Sequence, residues 1–261
     1  MRALSLPTRS LLPFVLGLAL WQAQAGAEES KPAGNTPNLE LNLGAKGDAQ
    51  TVSVSMKIVV LMTLLSVAPA LLVMMTAFTR IVIVLSFLRH ALATQQVPPN
   101  MVLIGLSLFM TMFVMAPIWE RVHQDAYKPY MEGKIGNEEA MEKALVPMRD
   151  FMGRQTRQSD LALFLELSHA PEPQSFDEIK TTTLIPAFIL SELRTAFHMG
   201  FLIFLPFVII DLVVASVLMA LGMVMLPPAM IALPIKLLLF VMADGWHLVI
   251  RSLVVSFQAG G

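Results

Sequence analysis

The chain has 261 residues, of which 56% are hydrophobic and only 14% are charged, with a mean hydropathy of +0.68. Soluble domains contain about 25% charged residues, so this composition excludes an ordinary soluble globule and favours a membrane protein. The net charge of −1 argues against a nucleic-acid-binding protein, and the absence of cysteine excludes disulfides, thiolate metal sites and thiol nucleophiles.

Residues 1–25 have the order of a secretory signal peptide. Basic residues precede an apolar run over 11–21, and Ala-Gln-Ala at 23–25 supplies the small residues of a cleavage site. The run is too short to span a bilayer, so we expect cleavage rather than an uncleaved anchor. Residues 26–56 are rich in Gly, Asn, Pro and Ser, and we expect a flexible segment outside the cytoplasm.

Four apolar blocks follow, at about 58–78, 101–119, 184–225 and 229–257. The first two blocks each have the length that one membrane-spanning helix needs. Residues 57–119 are therefore predicted as a first hydrophobic helical hairpin and residues 183–258 as a second.

The charges between the blocks predict an orientation. The short stretch 79–100 contains Arg80, Arg89 and His90 and no acid, which places it on the cytoplasmic side by the positive-inside rule. The long polar stretch 120–182 then falls outside the cytoplasm.

The polar stretch 120–182 is predicted to be helical. Asn137 can cap a helix that opens with two glutamates, and residues 175–178 have the form of a capping box. Pro186 is expected to kink or end the helix that this box starts.

The apolar half contains three acids and three bases, namely Glu192, Asp211, Asp244, Arg194, Lys236 and Arg251. Charges in such a region must face protein or water. Equal numbers of opposite sign suggest buried pairs that fix helix register and subunit contacts. A proton or ion relay and an aqueous pore are the alternatives.

A methionine-rich run interrupts the helix near residues 219–228, where Gly222 and the Pro227-Pro228 pair break it. Methionine is long and adaptable, so several copies meeting on an axis could close a pore or deform around a polypeptide. Ordinary core packing is the alternative interpretation.

The same half contains two long signatures. One is PAFILSELRTAFHMGF at 186–201, and the other is PIKL at 234–237 followed by ADGW at 243–246. With QQVPPN at 95–100 and the order of the blocks, they resemble the FliP family of the flagellar type III export apparatus and its injectisome counterparts. The resemblance covers about residues 57–257.

The resemblance implies an all-α fold of membrane-associated hairpins that assemble into a tilted helical ring with a helical periplasmic segment. It implies a homopentamer that joins the FliQ and FliR proteins and other export-apparatus membrane proteins in the bacterial inner membrane, at the flagellar basal body, in contact with lipid. Unfolded flagellar rod, hook and filament proteins would pass through it. No enzyme activity, cofactor, metal or nucleic acid is expected.

By the resemblance, the gate is a methionine-rich loop formed by Met223, Val224 and Met225. Glu192 and Lys236 lie in the two signatures, and we predict that they pair between neighbouring subunits.

Arg194 is a competing partner for this pair. Phe151 and Phe164 pack either between subunits or in the core of one subunit. Two other functions remain open at this point: an injectisome-type gate, and a small secondary transporter that couples ions through Asp211 and Glu192 at a broken helix.

Overall fold

The computed structural model describes residues 49–94, 97–169, 173–223 and 225–258, and every regular element in these ranges is helical. The all-α class predicted from the sequence is therefore confirmed. The predicted signal peptide, most of the segment 26–56 and Val224 lie outside the described residues. Val54–Gly261 forms one compact unit, and the packing described below lies within it.

The described helices follow one another along the chain as α1 (Ala49–Met74), α2 (Phe78–Ala91), α3 (Asn100–Val122), a π-helical turn (His123–Tyr127), α4 (Lys128–Met131), α5 (Asn137–Gln155), α6 (Gln158–Leu167), a 3-10 turn (Phe176–Glu178), α7 (Thr181–Ala220), α8 (Pro228–Met242) and α9 (Gly245–Gln258).

Helix α7 organises the fold because it is long enough to pack against different helices along its two halves. Its 40 residues extend about 60 Å at 1.5 Å per residue. The first half packs against α2, α5 and α6, and the second half packs against α8. Helices α2, α5, α6 and α8 are therefore positioned directly by α7.

The apolar core is divided into a large cluster and a small one. The large cluster centres on the face of α2 that carries Ile81, Leu85 and Leu88, which are at most 1% exposed. The small cluster consists of Val214, Leu218 and Ala232, and Ile210 packs against both clusters. The far ends of α7 and α8 are thus held together by few buried side chains.

Two predicted helix starts are wrong by a few residues. Gly136 occupies the N-cap position of α5, so Asn137 is the first helical residue and makes no side-chain capping bond. Residues 176–178 form only a 3-10 turn, in which the Glu178 carboxylate accepts a hydrogen bond from the Gln174 backbone N–H at 2.7 Å.

Pro186 does not end a helix, which was one of the two predicted outcomes, and the predicted kink stays a prediction. Helix α7 begins at Thr181 and runs through Pro186 to Ala220. Proline removes one backbone donor and crowds the preceding turn. Its neighbours Ala187 and Phe188 are completely buried, and the packing of this face compensates for the missing hydrogen bond.

By length and apolar composition, two of the described helical stretches could each cross a membrane, Asn100–Met131 and Thr181–Ala220. Two bent pairs also qualify when each pair is taken as one span, Ile58–Met74 with Phe78–Ala91 at 66° and Pro228–Met242 with Gly245–Gln258 at 64°. Within the first apolar block, α1 ends at Met74 and the chain bends before α2 begins at Phe78, so whether this block crosses the membrane alone stays a prediction.

The predicted positions of Arg80 and of the polar stretch 120–182 on opposite sides of the membrane cannot both hold. An Arg80 Nη2 hydrogen donates to Gln155 Oε1 at 3.0 Å, and Gln155 belongs to the polar stretch 120–182. Residues in direct contact cannot lie on opposite sides of about 30 Å of hydrocarbon. The side of the membrane on which the start of α2 lies, and the side on which Arg89 and His90 lie, stay predictions.

Close approach of an aromatic ring to a glycine generates the first prediction. A Cβ added at Gly200 of α7 would lie 2.6 Å from the ring of Phe87, whereas a Cβ at Gly105 of α3 would meet nothing within 4 Å. Overpacking costs about 1–3 kcal/mol, and replacing glycine by alanine inside a helix gains about 1 kcal/mol. We expect Gly200→Ala to lower the unfolding temperature of the detergent-purified protein and the control Gly105→Ala to raise it. A Gly200→Ala protein at least as stable as the control would contradict the tight contact.

Candidate functional site

Arg80, at the start of α2, is 2% exposed and is surrounded by acceptors from three other helices. Its Nε donates to Glu192 Oε2 at 2.9 Å, and its Nη2 contacts the second oxygen of the same carboxylate. The Nη1 group donates to Ser256 Oγ at 3.0 Å, and Nη2 also donates to Gln155 Oε1 at 3.0 Å. The ring of Phe257 lies 3.9 Å from the guanidinium carbon.

This cluster joins α2 to α5, α7 and α9 through one side chain. Arginine suits the position because its planar fork matches both oxygens of a carboxylate and its flat face stacks on an aromatic ring. Glu192 is completely buried, so its charge depends on Arg80 for compensation. The Gln155 amide extends the network by donating to the Phe257 carbonyl at 3.0 Å.

A second buried carboxylate lies beside this cluster. Asp160 in α6 is 2% exposed and accepts a hydrogen bond from Ser191 Oγ at 2.8 Å. Its other oxygen lies 3.1 Å from Arg194 Nη1, and the Arg157 backbone N–H donates to Ser191 Oγ at 3.0 Å. Ser191 therefore connects α7 to α6, and the next residue, Glu192, connects α7 to α2.

Lys236 forms the third polar site, at the other end of α2. Its Nζ lies 2.6 Å from Asp211 Oδ2 and 3.4 Å from the carbonyl oxygen of Ala91. Lys236 is 4% exposed, whereas Asp211 is 44% exposed. A cation beside the last carbonyls of a helix is favourable because the negative end of the helix dipole lies there. Lys236 thus joins α8 to both α7 and α2.

The structure does not bring Glu192 and Lys236 together. Glu192 pairs with Arg80, Lys236 pairs with Asp211, and Arg194 pairs with Asp160, all within one chain. The predicted pairing of Glu192 with Lys236 is thus not the pairing that the chain contains. A role of these residues between subunits stays a prediction.

Asp244 lies at the bend between α8 and α9, where its φ of +48° closes the turn. Its side chain is exposed and forms no ion pair with any other residue in the described ranges.

The two predicted aromatic residues lie in different environments. Phe151 is 8% exposed, and its ring centroid lies 5.9 Å from that of Phe188 and 6.3 Å from that of Phe257. Phe151 therefore belongs to the core of one chain. Phe164 is only half-buried, and its contact with a neighbouring subunit stays a prediction.

The methionine-rich loop begins where α7 ends at Ala220. Gly222 has a φ of +72°, a conformation that glycine adopts without steric cost. Its N–H donates to the Met219 carbonyl, and the Met223 N–H donates to the Leu218 carbonyl, each at 3.0 Å. This pattern is a Schellman motif, and it turns the chain sharply toward α8.

The arrangement suits the holding of helices in a fixed register. In the described ranges, no three His, Asp or Glu side chains are placed to hold a metal ion. The charged side chains that are buried, Arg80, Asp160, Glu192 and Lys236, all have partners on other helices.

Sequence reasoning missed Arg80 and Asp160. Arg80 is a lone base flanked by apolar runs on both sides, and that context could have indicated burial instead of a membrane boundary. Asp160 is in the first turn of α6, where an acid is usually explained by the helix dipole, so the sequence contains no distinct signal for its burial.

Comparison with known proteins gives a consistent result. A family model described as the FliP family matches residues 61–253. The flagellar biosynthetic protein FliP of Bacillus subtilis (strain 168) is 54% identical over 83% of this chain and 98% of the relative. The protein of the same description from Pectobacterium carotovorum is 55% identical over 80% and 81%, and that from Borreliella burgdorferi is 47% identical over 84% and 87%.

The buried pair of Arg80 and Glu192 generates the second prediction. Glu192→Ala leaves a buried guanidinium without its carboxylate, and breaking such a pair typically costs about 3–5 kcal/mol. We expect a large fall in unfolding temperature, and a smaller fall for Glu192→Gln because the amide oxygen still accepts one hydrogen bond.

The matched control is Glu139→Ala, which removes an exposed pair with Lys143 on one face of α5. Exposed pairs of this kind contribute about 0.3–0.5 kcal/mol. Equal unfolding temperatures for Glu192→Ala and Glu139→Ala would rule out a central role for the buried pair.

Proposed function

The chain belongs to the FliP family and is a component of the flagellar type III export apparatus, and we propose that it forms the wall and the gate of the export conduit. The observation that carries this proposal is the methionine-rich loop at the tip of the α7–α8 hairpin. Met223 and Met225 are both exposed there, 42% and 99% respectively.

The gate works by closing flexible side chains around an axis. Methionine has three rotatable side-chain bonds and a polarisable sulfur, so it fills irregular gaps and adapts to varied neighbours. Loops from several copies, each with Met223, Val224 and Met225, close the conduit at rest and deform around an unfolded rod, hook or filament protein in transit.

The conduit is a homo-oligomer, a pentamer in this proposal, that also contains FliQ and FliR. Support comes from exposed apolar faces that one chain leaves uncovered on three helices, including Phe109, Phe113, Phe201, Leu212 and Val241. Large exposed apolar surfaces are usually covered by a protein partner or by lipid. Other export-apparatus membrane proteins surround this core.

The complex lies in the bacterial inner membrane at the flagellar basal body, with residues 120–182 on the periplasmic side. The polar surface of α5 supports a location in water, because it carries the exposed residues Glu138, Glu139, Glu142 and Lys143. The hydrogen bond from Arg80 to Gln155 supports a position of the start of α2 at the level of this periplasmic segment.

The third prediction concerns assembly. Co-expression of this chain with FliQ and FliR is expected to give a larger detergent-extracted particle than expression of this chain alone, and the chain alone is expected to form a discrete oligomer. Native mass spectrometry of the extracted particles measures both. A monomer or dimer whose mass does not change when FliQ and FliR are present would contradict the proposal that this chain forms a conduit.

The fourth prediction concerns the gate. Replacing both Met223 and Met225 by alanine removes the side chains that fill the constriction, so we expect membranes to leak small solutes while the oligomer still assembles.

The control replaces Met230 and Met242, which are 70% and 79% exposed but lie on α8 rather than in the loop. Dye efflux from vesicles that contain the complex measures the leak. An intact barrier in the loop variant, or an equal leak in the control, would exclude the loop as the gate.

A further inference from the structure

We propose that α9 carries a docking surface for a second copy of this chain, in which Arg251 of one copy pairs with Asp244 of the next. This inference rests on the proposed function, because it names a contact within the proposed homo-oligomer. It follows from two exposed charges of opposite sign that lie at the same end of the fold, and from the groove beside one of them.

The ion pairs within one chain leave one acid and one base over in the apolar half, residues 183–258. Four of the six charged side chains there have partners of opposite charge, namely Glu192, Arg194, Asp211 and Lys236. Asp244 and Arg251 are exposed and form no ion pair with the residues that the structure describes. The two charges that are left over are therefore complementary.

A charge without a partner is unfavourable in this part of the chain. Helices α8 and α9, taken as one bent span, are long and apolar enough to cross a membrane. Ionised side chains in such segments are usually paired with one another. Asp244 precedes Arg251 by seven residues, which is about 10 Å along a helix, so the two side chains do not meet within one chain. A second copy supplies each of them with the charge that it lacks.

The surface beside Arg251 is a groove. It has a volume of about 320 Å³ and is lined by His247, Ile250, Arg251, Val254 and Val255. The guanidinium and the imidazole can donate hydrogen bonds to a carboxylate, and the other three side chains are apolar. Side chains of a helix point toward its N-terminus, so Arg251 leans toward the level of Asp244. The groove therefore suits an acidic side chain that has an apolar neighbour.

The bend between α8 and α9 offers such a pair of side chains. Asp244 is exposed at this bend, where its φ is +48° and the two helices meet at 64°. Val241, in the last turn of α8, is 73% exposed and precedes Asp244 by three residues. The bend of one copy thus matches the groove of another in both charge and apolar character.

The groove and the bend are different surfaces of the same chain, so the contact between copies is head-to-tail. Contacts of this kind close into a ring when the rotation between copies allows it. Each copy then gives Asp244 to one neighbour and receives a carboxylate at Arg251 from the other. The two oxygens of a carboxylate match the guanidinium fork, which fixes the register of the contact.

Charge exchange tests this pair in the full chain. Asp244→Arg and Arg251→Asp each place like charges opposite one another, so we expect each to lower the oligomeric fraction several-fold in native mass spectrometry. The chain with both changes again has opposite charges in contact, and we expect it to recover the oligomeric fraction of the unaltered chain. The matched control is Glu142→Arg, at an exposed position of α5, which we expect to leave the oligomer unchanged.

The outcomes separate this inference from the proposed conduit. If the unaltered chain forms no oligomer, both fail together. If it forms an oligomer that neither single change weakens, or that the combined change does not restore, the pair is wrong and the conduit stands. Phospholipid that is lost from Arg251→Asp while the oligomer persists would assign the groove to lipid and overturn the docking of a second copy.

Cysteine cross-linking locates the contact independently, because the chain contains no cysteine. A chain with Asp244→Cys and Arg251→Cys has its two thiols about 10 Å apart along the helix. A disulfide needs Cα atoms within about 7 Å, so any disulfide joins two copies. We expect mild oxidation to give several times more cross-linked dimers and higher oligomers than the control, Asp244→Cys with Ser252→Cys, which is exposed on another side of α9. Equal yields from the two chains would contradict the proposed contact.

Discussion

The rest of the structure depends on the burial of one cation, Arg80. Removing a guanidinium from water costs several kcal/mol, and the fold retains it only because partners satisfy its donors. Those partners are Glu192, Ser256 and Gln155, which come from α7, α9 and α5. Because a shift of any of these helices would leave a buried charge without a partner, this single site fixes their mutual register.

Helix α2 transmits this constraint from one end of the bundle to the other. Its 14 residues extend about 21 Å, from Arg80 near the start to the Ala91 carbonyl, which Lys236 contacts at the far end. Helix α7 contributes Glu192 to the first site and Asp211 to the second. Two polar sites therefore bracket the large apolar cluster. Between Lys236 and the loop, the α7–α8 hairpin is held together by only the small cluster of buried side chains.

Local signals in the sequence predicted the local features. Apolar composition indicated a membrane protein, and the resemblance to the FliP family implied the all-α class. The break at Gly222 and Pro227 follows from the backbone preferences of those residues. The partners of the buried charges could not be predicted, because Arg80 and Glu192 are 112 positions apart. The positive-inside rule counted Arg80 as a boundary residue, since that rule considers charge and span length but not burial. Proline disfavours the interior of a helix, so Pro186 was expected to kink or end one. The helix continues through Pro186 because the packing of Ala187 and Phe188 outweighs that local preference.

Polar contacts specify this bundle for a reason that is particular to membranes. Lipid tails are as apolar as leucine, so apolar packing alone does not strongly distinguish one arrangement of helices from another. Buried pairs do distinguish them, and so do glycines that admit a ring, as Gly200 admits Phe87 and Gly245 admits Phe240. The signature 186–201 contains Ser191, Glu192 and Gly200, so one stretch of α7 supplies both kinds of contact, because Ser191 and Glu192 bind partners on α6 and α2 and Gly200 admits the ring of Phe87.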